Sequence, residues 1–165
     1  MDFKTLKKRL AEEAKAANIC AEWYNHILNA TSKERLLALY FGGFDFVTEN
    51  DFPSEPLRRE FDDVRKHFHI YENEAFAARN ARKLVAYTGT RGKAEYNGFA
   101  VAQIWLRQGA EVEVTASGNA YVTLDVAEGA DAKIKASGKS KVVVFHHGGT
   151  ITQEATDEAI ITIKQ

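Results

Sequence analysis

The chain has 165 residues, 45% of them hydrophobic and 27% charged, enough for one domain or a domain with a small appendage and for a buried core. Its formal net charge of −1 excludes a global field that would draw nucleic acid or anionic lipid to it. The single cysteine, Cys20, excludes an intrachain disulfide and fits a reducing compartment.

The first residues, MDFKTLKKRLAEEAKA, scatter charge through the segment and contain no apolar stretch of signal-peptide length. No apolar run in the chain has the length of a bilayer span. The expected setting is cytoplasmic, with no membrane partner.

Residues 1–81 read as a helical region. Phe3, Leu6, Leu10 and Ala14 recur at helical spacing, with Lys and Glu between them. A second stripe runs through Cys20, Trp23, Tyr24, Ile27 and Leu28, which makes Cys20 a small buried hydrophobe. TSKERLLALYF starts a helix with Ser32 as its N-cap and places Leu36, Leu37, Tyr40 and Phe41 on one broad face. After Pro53 another helix begins, with Ser54 as a capping residue and Pro56 in the first turn, followed by Leu57, Phe61, Val64 and Phe68. Three or four helices are expected, with FGGFDF and ENDFPS as breaks. The acidic pairs Glu12–Glu13 and Asp62–Asp63 read as solvated helix faces.

From residue 82 the period changes to the alternation of half-buried strands. Displacing this half by 20 residues superposes Gly98, Gly118 and Gly138, and also Gly89, Gly109, Gly129 and Gly149. The same displacement aligns Ala102/Val122/Val142, Ile104/Leu124/Val144 and Leu106/Val126/His146. A further set aligns Ala94/Val114/Ile134 and Tyr96/Ala116/Ala136, and EATDEAIITIKQ fits as a last copy with one residue deleted. Glycine and apolar columns sharing one period mark a structural repeat. Each unit reads as a strand, a glycine turn, a longer strand and a second glycine turn, because tight corners often need positive φ. The expected fold is α+β: a helical region, 1–81, packed on or capping a parallel β-solenoid, 82–165, with about 20 residues per coil and four to five rungs. An antiparallel meander or sandwich is the alternative topology.

The two outer faces differ. Lys93, Glu113 and Lys133 share one column of the shorter strand, which makes an alternating, solvated charge ladder. The longer strand turns Phe99, Val101, Trp105, Tyr121, Val143 and Phe145 outward. Such a surface belongs under another element, and either the helical region or a second protein, including another copy, can cover it. The last rung, AIITIKQ, presents unpaired backbone that Lys164, the helices or another subunit would protect. A homo-oligomer, joined end to end or face to face, is expected.

Residues suited to chemistry are few. His67 and His69 read as a helix end, and His146 falls in an inward column of Leu and Val beside the outward His147. These four are the candidates for a metal or ligand site at the junction of the two regions. Arg58, Arg59, Arg65 and Lys66 are the candidates for nucleic-acid binding, balanced by neighbouring acids. GTRGK, residues 89–93, lacks Walker spacing and precedes a strand, so its glycines are assigned to the repeat. No catalytic residue or cofactor is indicated.

YFGGFDFVTENDFPSEPLRREF, followed by AEYNGFAVAQIWLRQGAEVEVTASGNAYVTLDV, resembles a family of short uncharacterised proteins from gut bacteria and their phages. The resemblance runs from about Cys20 to about Gly149 and rests on the ENDFPS phrase and the stacked A-S-G-x-(A/S)-x-V units. It implies a bacterial or phage setting and a mobile-element origin, and carries over no catalytic residue. The β half is also similar to bacterial β-solenoids that serve as adhesive or filament-forming scaffolds, an analogy of fold. The leading expectation is a non-enzymatic binding or scaffold protein acting through protein contacts.

Overall fold

A computed structural model describes every residue, Met1–Gln165. The chain forms two compact units, Met1–Lys66 and His67–Gln165.

The first unit holds five helices: α1 (Phe3–Ala16), α2 (Ala21–Asn29), α3 (Lys33–Gly42), α4 (Phe44–Asn50) and α5 (Glu55–Arg59). The expected break at FGGFDF is a single residue, Gly43, between α3 and α4. Leu6, Leu10 and Ala14 of α1 are buried, as their spacing requires, together with Ile27, Leu36, Leu37, Phe44 and Val47. Ser32 Oγ accepts the Arg35 N–H at 3.1 Å and caps α3. Asp2 caps α1 in the same way, its Oδ1 accepting the Thr5 N–H at 2.9 Å. Lys7 Nζ donates to the carbonyls of Leu28 and Ala30 at 3.0 and 2.9 Å, satisfying the open end of α2.

Three expectations in this unit are corrected. Cys20 is exposed, because it sits at the N-cap of α2 ahead of the first buried turn. Ser54 does not cap α5 with its side chain; its N–H and Oγ donate instead to the Glu13 carboxylate at 2.6 and 2.8 Å. Glu13 therefore ties α1 to the start of α5 and is not simply solvated. Asp62 and Asp63 stay exposed as expected, while Asp63 accepts from Lys33 Nζ at 2.9 Å and Asp62 from the buried Arg65 at 2.7 Å.

The second unit is a parallel β-solenoid. Its strands are β1 (Ile70–Tyr71), β2 (Ala75–Arg79), β3 (Lys83–Ala86), β4 (Arg91–Tyr96), β5 (Val101–Leu106) and β6 (Glu111–Ala116). They continue with β7 (Tyr121–Val126), β8 (Asp131–Ala136), β9 (Lys141–His146), β10 (Thr150–Ala155) and β11 (Ile160–Lys164). Successive strands alternate between two sheets, ordered β1-β3-β5-β7-β9-β11 and β2-β4-β6-β8-β10. All recorded pairings are parallel. Tyr121 pairs with Val101 and Lys141, 20 residues away on either side. The final coil is one residue shorter: Ile160 pairs with Lys141 and Thr150 with Asp131. The deletion read from the sequence is therefore present.

Two features of the coil differ from the expected unit. Strands β4 to β9 all have six residues, so neither sheet has the longer strand. The third inward column of the second sheet is Gly92, Val112 and Ala132, and Gly92 hides it from a search for apolar repeats. The solenoid also begins before residue 82: β1 and β2 lie inside the segment expected to be helical. Their coil is short, with Ile70 paired to Val85 and Ala75 to Arg91. Its corners use Asn73 (φ 52°) and Asn80 (φ 53°), which do not register in a glycine count.

The inward residues expected from the alternation are buried: Ala102, Ile104, Leu106, Val122, Leu124, Val126, Val142 and Val144 from one sheet, and Val114, Ala116, Ile134 and Ala136 from the other. Each large aliphatic among them contributes about 1.5–3 kcal/mol relative to exposure. Corner residues complete the core, with Thr90, Ala110 and Ala130 stacked at one edge and Ala120 and Ser140 at the other. Side chains there must be small, because the chain turns around them.

Candidate functional site

The solenoid presents two sheets with different outer surfaces. The second sheet carries a grid of charge. Its register runs Arg91, Glu111, Asp131 in one column and Lys93, Glu113, Lys133 in another. Arg91 pairs with Glu111 at 3.2 Å and Arg79 with Glu95 at 3.2 Å. Glu113 pairs diagonally with Lys135 at 3.5 Å. Pairs this exposed contribute little energy but penalise a shifted register. A shallow depression of about 410 Å³ lies over Gly92, Val112 and the surrounding charges.

The first sheet carries the apolar residues. Val101 and Tyr121 are register partners on adjacent strands and both are exposed, Val101 to 62%. Phe99 is 84% exposed and lies in the corner ahead of β5, not within the strand. Phe145 is exposed, and Trp105 and Val143 are half-buried. The register interrupts these residues with polar ones: Trp105 is followed by Asp125, then Phe145, then Lys164. Lys164 Nζ stands 5.7 Å from the centre of the Phe145 ring, a cation–π distance. Two apolar groups result, one of Phe99, Val101 and Tyr121 and one of Val143 and Phe145. Thr123, Asp125 and Lys141 separate them.

The four candidate histidines do not converge. His69 precedes β1, and His146 ends β9; β3, β5 and β7 lie between those strands. At about 4.8 Å per strand the separation is roughly 19 Å. His69 has positive φ (55°), and its Nδ1 is 3.0 Å from the Tyr71 hydroxyl. Burial lowers the His69 pKa below its usual 6.5. His67 is exposed. His146 keeps the inward column of Leu106 and Val126, and its Nε2 donates to the Gly149 carbonyl at 3.0 Å. Its Nδ1 accepts from Gln165 Nε2 at 3.4 Å, so both ring nitrogens have protein partners. His147 lies 3.0 Å from Asp125 Oδ2 across the neighbouring strand. No three or more His, Cys, Asp and Glu side chains are grouped to hold a metal ion.

The basic quartet is similarly committed. Arg58 donates to the Pro53 carbonyl at 2.8 Å, Arg59 pairs with Glu55, and Arg65 is buried against Asp62. Lys66 also has a partner.

Among the aromatics near the start of the solenoid, Tyr71 stacks on Phe76 with ring centres 4.1 Å apart and planes 4° from parallel. Tyr96 is buried in the column of Ala116 and Ala136, and its hydroxyl has no hydrogen-bond partner. Burial first, and then Tyr71, raises the Tyr96 pKa far above the usual phenol value.

The sequence pattern did not single out the inward face of the last rung. Ile151, Ile161 and Ile163 are half-buried there, while Gln153 and Ala155 are exposed although they occupy inward columns. The signal was the alternation in TITQEA and IITIK, weakened by Gln153. No helix is long and apolar enough to cross a membrane. The chain matches no family model, no curated protein and no solved structure.

Proposed function

We propose that this protein is a non-enzymatic binding or scaffold module that works through protein–protein contacts, as a homo-oligomer, in a bacterial or phage cytoplasm. One observation carries the reading: the outer surface of the β1-to-β11 sheet leaves Phe99, Val101, Tyr121 and Phe145 exposed, while the opposite sheet is covered in charge. Apolar side chains on one rigid sheet face supply the desolvation energy a protein partner needs, and the interspersed Asp125 and Lys141 supply orientation. A metal site would need the histidine pairs together, and a nucleic-acid surface would need the Arg58–Lys66 guanidinium and ammonium groups uncommitted. The geometry favours neither.

The test is a photo-crosslinking amino acid placed at Tyr121 and, as a control, at Lys133 on the charged sheet, in the cells that make the protein. The reading expects discrete adducts from position 121, to itself or to another protein, and few from 133. Equal labelling from both positions, or none from 121, overturns it.

A further inference from the structure

The far end of the solenoid has two open strand edges. β11 pairs only with β9, and β10 only with β8. Their outer edges present backbone groups aligned for further pairing. The devices that usually protect such edges are sparse here. β11 reads Ile-Ile-Thr-Ile-Lys, with no proline and its one charge in the last position. Ile160 is 53% exposed on its outer side, and inward Ile161 and Ile163 are only half covered. In β10, inward Ile151, Gln153 and Ala155 face the same opening.

We infer that two copies of this chain join tail to tail, β11 and β10 of one pairing antiparallel with β11 and β10 of the other. The inference rests on the reading above in taking a second copy as a partner. Three features select that occupant. The two edges are held apart by the thickness of the solenoid, so a single peptide strand would satisfy one and leave the other open. An end with the same two-edge geometry satisfies both at once. The opposite end of the solenoid does not have it: β1 has two residues, and the first coil is 15–16 residues around, against 19 at the tail. Head-to-tail stacking would leave most of β11 unpaired, so the assembly closes as a dimer and does not grow into a filament.

The side chains suit a two-fold arrangement. Partners in an antiparallel pair must face the same way. With Thr162 opposite the partner subunit's Thr162, Ile161 meets the partner's Ile163, and Ile160 meets the partner's Lys164. In β10, with Gln153 opposite the partner's Gln153, Ile151 meets the partner's Ala155, and Thr152 meets the partner's Glu154. Ile151, Ile161 and Ile163 become interior, and no like charges are opposed.

The experiment uses the full chain. Wild-type protein and Thr162→Lys are compared by sedimentation equilibrium, with circular dichroism to verify folding. Thr162 is exposed, so the variant keeps the fold but sets two ammonium groups face to face at the two-fold axis. The expected result is a wild-type dimer whose dissociation constant rises at least about tenfold in the variant. As a second readout, Thr162→Cys in a Cys20→Ser background is treated with oxidised glutathione. Paired residues at the axis lie about 4.5–5.5 Å apart, within reach of a disulfide, so a covalent dimer is expected, and none from Lys133→Cys. A wild-type monomer at high micromolar concentration overturns the inference. So does a dimer that is unaffected by Thr162→Lys and is trapped through Tyr121→Cys instead, an outcome that would leave the apolar-face reading standing. Long oligomers would also overturn it, since they require head-to-tail contact.

Discussion

The ring of Phe76 occupies the space that a side chain at position 92 would fill: a Cβ on Gly92 would lie 2.1 Å from Phe76 Cε1. Phe76 and Gly92 are register partners on β2 and β4, and the ring is held from its other side by Tyr71. Gly92→Ala is therefore expected to destabilise the solenoid by about 1–3 kcal/mol through overpacking. In urea denaturation, adding Phe76→Ala should recover part of that loss, giving a coupling of at least about 0.5 kcal/mol in the double-mutant cycle. Additive losses would mean that the ring and the glycine are independent.

The corner glycines divide by what lies behind them. Gly98 has φ 60° and open space where a Cβ would go, whereas a Cβ on Gly118 (φ 62°) would lie 2.9 Å from the Gly98 nitrogen. Asn80, Asn73 and Asp157 already occupy positive-φ corners near the ends of the stack. Gly98→Asn should therefore cost less than about 1 kcal/mol, because Asn tolerates this conformation. Gly118→Asn should cost clearly more, and thermal unfolding of the two variants checks the order.

Inward and outward positions of the same strand should behave oppositely. Leu124 is fully buried, and Leu124→Ala is expected to cost about 2–5 kcal/mol. Tyr121→Ala, on the exposed face of the same strand, is expected to stay within about 0.5 kcal/mol of wild type. Denaturant midpoints measure both, and a large loss at Tyr121 would mean that its ring supports the fold.

Acid should weaken the solenoid at its first coil. Burial holds the His69 pKa below 6.5, so the unfolded chain binds the proton more readily than the folded one. Its contribution is full above about pH 6.5 and is lost as pH falls through the lower, folded value. His69→Asn keeps a residue that accepts the positive φ. The stability difference between wild type and variant should therefore move against wild type between about pH 7.5 and pH 5.5. A difference independent of pH would show that His69 does not titrate with folding.

By itself the sequence determined the solenoid, its coil of 20 residues and most of its core. The reason is that stacked coils force like residues into columns. Gly118 sits against Gly98 and Leu124 between Ile104 and Val144, so the pattern repeats along the chain as well as through space. The Ser32 cap and the deleted residue before β10 were legible for similarly local reasons. Tertiary structure alone decided the rest, wherever the repeat is broken or the partner is distant. Gly92 reads only as a glycine of the repeat until Phe76 is seen in its place. Glu13 reads as a solvated acid until Ser54, 41 residues away, donates to it. The first coil escaped notice because Asn replaced Gly at its corners. The four histidines, close in kind, are kept apart because intervening strands set their spacing. The unpaired backbone of the last rung was already expected from the repeat, and what the stack added is its place, on the outer edges of both β10 and β11, because strand pairing joins distant segments.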